Sequence, residues 1–195
     1  MWKEFGEMID RGNWVVLDTE TTGLEKPAEI VDIAILAADG HPLLNTLVCP
    51  KGHIPPQAVN VHGILNEMVA ESPCWIEVQP VVVELIRGKD VITYNAVFDR
   101  KMFHCSDEAR MMPQTDYKAF STWWCAMEWY AEFWGEWDEY HGNNRWQKLA
   151  VAVRQQGLPG FLAHRALDDA QATRQLIMKI CLNREHSLPR EPGQG

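Results

Sequence analysis

The stretch WVVLDTETTGL, residues 14–24, decides the fold of this chain. Its first four residues are a bulky apolar run with a β-branched pair, which predicts a buried strand. Side chains two residues apart on a strand share a face, so Asp18 and Glu20 point the same way at its carboxyl end. Open α/β sheets place their functional sites at that end of the strands. We therefore expect these two carboxylates to belong to one site.

Two later segments supply acids that also fall on apolar sides of predicted helices. In TYNAVFDRKMF, residues 93–103, Asp99 lines up at helical spacing with the apolar side. In AHRALDDAQATRQL, residues 163–176, Asp169 is on the apolar stripe, whereas Asp168 is on a polar face. The stripe continues through Ala170, Thr173, Leu176, Ile177 and Ile180. Since an isolated buried carboxylate is costly unless it is paired or bound to a cation, we expect Asp169 to point inward and Asp168 to face solvent.

A histidine precedes the third acid by five residues. On one helix, His164 and Asp169 would diverge by roughly 140°, so we expect His164 in the loop before the helix. A neutral imidazole there could accept a proton from a water that the carboxylates hold through metal. Four acids and one histidine are the residues needed for two-metal-ion hydrolysis of a phosphodiester.

In these segments the chain resembles the DEDDh class of 3′–5′ exonucleases, which includes proofreading epsilon-type subunits, RNase T and oligoribonuclease. The resemblance spans roughly residues 13–182. It rests on Asp18-Thr-Glu20 with Thr-Gly-Leu following, Asn95-Ala-Val-Phe-Asp99, His164-x4-Asp169-Ala170 and Val61-His62-Gly63-Ile64. It implies an α/β protein with the RNase H-like three-layer fold, in which helices flank a mixed central sheet.

The resemblance also implies roles for the acids and the histidine. Two Mg²⁺ or Mn²⁺ ions would occupy the site. Asp18, Glu20 and Asp169 would bind one of them directly, and Asp18 would bridge to the second. Asp99 would complete the site partly through water, and His164 would act as the general base.

On the substrate side, the resemblance implies that Glu20 seats the terminal nucleotide and its 3′-OH together with the backbone of Thr21, Thr22, Gly23 and Leu24. Leu24 would wedge against the last base. For His62 we favour local packing over substrate contact, and for Asn95 a helix cap is at least as well supported as a substrate contact. Arg165 is the best placed of the cations for phosphate contact because it neighbours His164.

Length and composition describe a globular protein. We expect 195 residues to form one domain over residues 1–183, with a disordered tail over 184–195. No apolar run approaches the length of a membrane span, and the N-terminus does not read as a signal peptide. The five cysteines are odd in number and widely spread, which disfavours a disulfide framework or zinc site and fits a reducing cytoplasm.

The net charge of −9 is unusual for an enzyme that acts on nucleic acid. Residues 142–195 carry a net +4, however, so the segment with His164 is basic. We expect a metal-dependent 3′–5′ exonuclease that acts on short single-stranded DNA ends and releases 5′-mononucleotides. A 3′–5′ exoribonuclease and a proofreading subunit within a polymerase complex stay open as alternatives, as does a homodimer. An aspartate-nucleophile phosphatase is disfavoured, because it would leave His164 and Asp99 unused.

Periodicity and turn residues predict the remaining elements. Strands are expected near 14–18, 29–38, 43–49, 91–94 and 116–121. Helices are expected near 2–10, 57–61, 64–70, 76–87, 97–105, 123–134, 146–156 and 166–182. For the tryptophan-rich stretch 123–137 we favour core packing, with a protein interface and nucleobase contact as alternatives.

Overall fold

A mixed five-stranded sheet organises residues 2–182, the part of the chain that this computed structural model describes. The strands are β1 (Trp14–Thr21), β2 (Ile30–Ala37), β3 (Pro42–Leu47), β4 (Asp90–Thr93) and β5 (Thr122–Cys125). Their order across the sheet is β3-β2-β1-β4-β5. The β1–β2 and β2–β3 pairs are antiparallel, whereas β1–β4 and β4–β5 are parallel. The predicted mixed sheet is thus confirmed.

Helices cover both faces of this sheet. They are α1 (Trp2–Arg11), α2 (Pro56–His62), α3 (Asn66–Val69), α4 (Trp75–Ile86), α5 (Ala96–Ala109), α6 (Ala126–Trp134), α7 (Leu149–Gln155) and α8 (Ala166–Leu182). A two-stranded hairpin, β6 (Trp137–Asp138) and β7 (Asn143–Asn144), lies between α6 and α7.

Alternate residues of β1 enter two different cores. Val16 packs in one apolar cluster with residues of α1, α6, α7 and α8. Leu17 packs in a second cluster with residues of α4 and α5. The molecule therefore has three layers, as predicted. By the same alternation, Asp18 and Glu20 face the layer that contains α8, and Thr19 faces the layer that contains α5.

The parallel pairing of β1 with β4 brings two carboxyl ends together. Val16 of β1 pairs with Ile92 of β4, so the residues that follow each strand reach the same edge of the sheet. Asp18 and Glu20 lie at the end of β1, and α5 begins at Ala96 directly beyond β4. This edge holds the candidate site.

The predicted strand at 116–121 is wrong. Tyr117–Ala119 form a single 3₁₀ turn, and the strand is β5, which takes the first residues of the predicted 123–134 helix. Trp123 packs edge-on against Phe103 in one layer, and Trp124 packs edge-on against Phe5 in the other. Consecutive side chains that point to opposite faces of a sheet are typical of a strand. Because both residues are tryptophan, the sequence shows no alternation of residue type that would indicate this strand.

The other predicted strands and helices are present. α3 and α7 are shorter than predicted, and the β6–β7 hairpin was not predicted. The predicted tail at 184–195, and the domain boundary at residue 183, lie outside the described residues. Between residues 2 and 182, no helix has the length and apolar content needed to cross a membrane. All five cysteines fall in that range, and none of them forms a disulfide.

The core-packing interpretation of the tryptophan-rich stretch is confirmed for Trp129. Its side chain is buried and stacks on Phe5, with ring centroids 4.4 Å apart. Trp137 instead lies exposed in the β6–β7 hairpin. Trp129 thus joins α6 to α1 on one face of the sheet.

Candidate active site

Glu20 lies near the end of β1 with its side chain buried. Burial, together with the negative charges of Asp169, Asp32 and Asp99, raises the pKa of this carboxyl to about 8. Ionisation of a glutamate in this environment is energetically unfavourable unless a cation lies beside the carboxylate. Thr22 and Gly23 follow the end of the strand, so Glu20 lies at the edge of the sheet.

Asp99 approaches the same edge from the opposite layer. It lies in the first turn of α5 and is buried. The Asn95 side chain caps this helix by accepting from the backbone N–H of Phe98, so the cap role expected of Asn95 is confirmed. Thr19 Oγ1 donates to Asp99 Oδ1 over 2.9 Å. Burial raises the pKa of Asp99 to about 7, and the Thr19 hydrogen bond opposes part of that rise.

Asp169 comes from the first turn of α8. The backbone N–H of His164 donates to its Oδ1 over 3.2 Å, which fixes the loop that carries the histidine. Burial raises the pKa of Asp169 to about 6, against the lowering effect of His164. His164 lies in the loop before the helix, as predicted, and its side chain is exposed.

Glu20, His164 and Asp169 form the tightest group of possible metal ligands in the described part of the chain. One ligand atom from each lies within 4.8 Å of the others. This grouping gives His164 a second possible role, as a cation ligand, besides that of a base. Asp168 and Asp169 are both partly exposed, but of these two acids it is Asp169 that belongs to the group.

Asp18 lies close to the other carboxylates. Burial raises its pKa well above the ordinary value, and the charges of Asp99, Asp169, Glu20 and Asp32 act in the same direction. The four acids predicted from the sequence are therefore close enough to repel one another. Clustered carboxylate oxygens are the ligands that Mg²⁺ and Mn²⁺ prefer, so the residues present fit a divalent metal site.

A fifth acid, Asp32, was missed. It lies on β2 directly opposite Glu20 and is almost completely buried. Its Oδ2 accepts from Arg165 Nε over 3.0 Å and from the backbone N–H of Ala166 over 3.4 Å. The signal was present in the sequence, because Asp32 interrupts the otherwise apolar run IVDIAILA at 30–37. Arg165, predicted to contact phosphate, thus uses one of its donors within the protein.

The turn after β1 is rigidly held. Thr21 Oγ1 donates to the carbonyl of Gly23 over 2.7 Å, and Thr22 Oγ1 accepts from the backbone N–H of Glu29 over 2.9 Å. Leu24 is 72% exposed, and its carbonyl accepts from Lys101 Nζ over 3.0 Å. The wedge role of Leu24 against the last base stays a prediction.

His62 ends α2 and is buried. Its Nδ1 accepts from the backbone N–H of Ile64 over 3.0 Å, which is the local packing role favoured from the sequence. Burial lowers the pKa of His62. The charges of Arg165 and His164 also lower this pKa, whereas the charge of Asp32 raises it. The His62-Gly63-Ile64 segment therefore reaches the same edge of the sheet as the acids.

The Exonuclease family model of RNase T type matches residues 15–177, and the chain belongs to this family of DEDDh 3′–5′ exonucleases. The protein is accordingly a nuclease of the hydrolase class with the DEDDh set of residues. It is 36% identical to the uncharacterized exonuclease CP81 of Escherichia phage 186 over 166 residues, which cover 84% of this chain and 85% of the phage protein.

Two further comparisons agree. Exodeoxyribonuclease 10 of Escherichia coli (strain K12) is 32% identical over 168 residues, 85% of this chain and 67% of that protein. A solved structure of Exonuclease X in complex with 5′ overhanging duplex DNA superposes with a TM-score of 0.64 and 25% identity. That similarity covers 91% of this chain and 96% of the other.

Proposed function

We propose that this exonuclease removes 5′-mononucleotides from the 3′ end of single-stranded DNA, with two Mg²⁺ or Mn²⁺ ions held by Asp18, Glu20, Asp99 and Asp169. The observation that carries the proposal is the proximity of these acids to one another: burial raises the pKa of each, and the charges of the neighbouring acids add to the rise at Asp18 and Glu20. Such an arrangement is unfavourable without cations and suited to binding them.

The bound ions would polarise the scissile phosphate and favour ionisation of a water molecule. The chain's own residues supply the rest. His164, whose ring is exposed beside Glu20 and Asp169, would accept the proton of the attacking water. Glu20 and the fixed turn through Leu24 would receive the terminal nucleotide with its 3′-OH. That turn restricts the enzyme to chain ends.

DNA is the proposed substrate because the relatives point to it. One of them is named an exodeoxyribonuclease, and the Exonuclease X structure holds duplex DNA. The overall charge of −9 opposes a strong grip on long or duplex substrates, so short single-stranded ends are favoured. The lack of disulfides among the five cysteines agrees with work in a reducing compartment such as the cytoplasm.

The test uses a 5′-labelled single strand made as DNA and as RNA, each with a 3′-OH or a 3′-phosphate, with Mg²⁺ or with chelator. We expect a ladder that shortens from the 3′ end of DNA, requires metal, is blocked by the phosphate and is absent with Asp18→Asn. Chromatography should identify 5′-mononucleotides. Faster digestion of RNA would overturn the choice of DNA, since the 2′-OH is the group that distinguishes the two. Cleavage of circular single strands would overturn the exonuclease assignment of this site.

A further inference from the structure

We infer that Asp32 and Arg165 form a brace that positions His164 for its role in hydrolysis. The inference rests on the proposed function and extends it to two residues that are not among the proposed metal ligands. It begins from the position of Asp32, which lies on β2 directly opposite Glu20 and is 1% exposed. Residues directly opposite on antiparallel strands share a face, so Asp32 faces α8.

A carboxylate buried at this depth requires partners that compensate the loss of water. For one of its two oxygens, Asp32 finds them in two consecutive residues, whereas Oδ1 has no hydrogen-bond partner among the described residues. Arg165 Nε donates to Oδ2 over 3.0 Å, and the backbone N–H of Ala166 donates to the same oxygen over 3.4 Å. Ala166 is the first residue of α8, so the acid also satisfies one of the free N–H groups at that helix start. One oxygen of Asp32 therefore ties the beginning of α8 to the centre of the sheet.

The residue immediately before this tie is His164, whose backbone is in the left-handed region with φ at 70°. A non-glycine residue adopts this conformation at a cost and keeps it only where neighbours enforce it. On one side the His164 N–H is held by Asp169 Oδ1. On the other side the chain is held by the Asp32–Arg165 pair.

The His164 side chain is itself exposed, so packing around the ring does little to fix it. Its ring nitrogen nevertheless lies within 4.8 Å of ligand atoms of Glu20 and Asp169. The position of the ring then depends on the backbone of the loop that carries His164. The Asp32–Arg165 brace holds that backbone in place. A displacement of about 1 Å at a reacting group can cost about 10²-fold in rate, which is the size of effect that loss of the brace should have.

The experiment is a double-mutant cycle measured by steady-state and single-turnover kinetics on a single-stranded DNA. Arg165→Ala and Asp32→Asn are each made in the wild-type background and in His164→Ala. In the wild type we expect each to lower kcat by roughly 10- to 100-fold with KM changed by less than about 3-fold. In His164→Ala the same changes should cost less than about 2-fold, because the group that they position is gone.

The matched control is Arg174→Ala. Arg174 lies on α8 and, like Arg165, donates through Nε to the β2 side of the sheet, to the carbonyl of Ala38 over 2.8 Å. It lies away from the histidine loop, so its removal should leave kcat unchanged. Added guanidinium should restore part of the activity of Arg165→Ala and none of that of His164→Ala. Arg165→Lys should not restore it, since lysine lacks the guanidinium fork.

Metal titration calorimetry completes the test, and Arg165→Ala should bind Mn²⁺ as tightly as the wild type. A KM increase with equal losses in both backgrounds would overturn the brace and assign Arg165 to phosphate contact. Equal losses in Arg174→Ala would reduce the effect to general stability. If Asp32→Asn fails to fold, the guanidinium rescue and the Arg165 cycle still decide the matter. A wild type without activity at 3′ ends would instead overturn the proposed function.

Discussion

Replacement of Glu20 by glutamine should make the metal-free protein more stable, and increasingly so as pH rises. Burial and neighbouring charges raise the pKa of Glu20 from an ordinary 4.5 to about 8. Between those values the unfolded chain has released the proton while the native protein still holds it. Native stability therefore falls as pH rises through this window. Glutamine cannot ionise, so the stability of the Glu20→Gln variant does not fall for this reason as pH rises.

The size of the effect follows from the shift. Each pKa unit corresponds to about 1.36 kcal/mol, so from pH 5 to pH 8 a single isolated site would contribute about 4 kcal/mol. Because Glu20 shares its environment with Asp169, whose protonation responds to that of Glu20, we expect about 2–4 kcal/mol. With Mn²⁺ present the order should reverse, since the variant has lost one of the proposed metal ligands and the native wild type gains more from binding the metal.

The measurement is urea denaturation in chelator at several pH values from 5 to 8, followed by tryptophan fluorescence. The difference in unfolding free energy between Glu20→Gln and wild type should increase steadily with pH. The control is Glu71→Gln, an exposed glutamate on the surface, which should show a small constant difference. A Glu20→Gln difference that is independent of pH, or a variant less stable than wild type at pH 8, would refute the electrostatic reasoning.

Other substitutions separate the roles of the site residues. Asp18→Asn should nearly abolish hydrolysis and blunt the rise in melting temperature that millimolar Mn²⁺ gives the wild type; near wild-type turnover would contradict the two-metal assignment. Asp169→Ala should remove most activity and weaken Mn²⁺ binding in calorimetry, whereas Asp168→Ala should change both little. Equal losses in the two variants would contradict the assignment of Asp169, and not Asp168, to the site. His164→Ala should lower kcat by ~10²–10⁴-fold while Mn²⁺ affinity is kept; weakened metal binding would instead identify His164 as a cation ligand.

Local periodicity was enough to predict the shared face of Asp18 and Glu20, and the inward position of Asp169 relative to the apolar stripe of α8. Family resemblance supplied the three-layer fold, which the sheet order and the comparisons confirm. The apolar run around Asp32 marks that acid as unusual but does not give its role. Its importance comes from the register of β2 against β1 and from a partner 133 positions away, and neither is visible in a local pattern.

The same limit explains the misplaced strand. Trp123 and Trp124 have high propensity for strands and also fit an aromatic helix face, so the local pattern did not separate the two. Only the packing of one ring into each layer decides the matter, and this depends on where Phe103 and Phe5 lie. Tertiary packing chose the strand.

The alternation along β1 has a consequence for how activity depends on folding. Asp18 and Thr19 are neighbours in the chain, yet they face different layers, and Thr19 is the residue that holds Asp99. The carboxylates can converge only when α5 has docked on one side and α8 on the other. A state in which either helix has opened locally would keep most of its secondary structure and still lack a complete set of acids. Turnover should then disappear before circular dichroism reports any unfolding, which makes nuclease activity a sensitive indicator of sub-global opening.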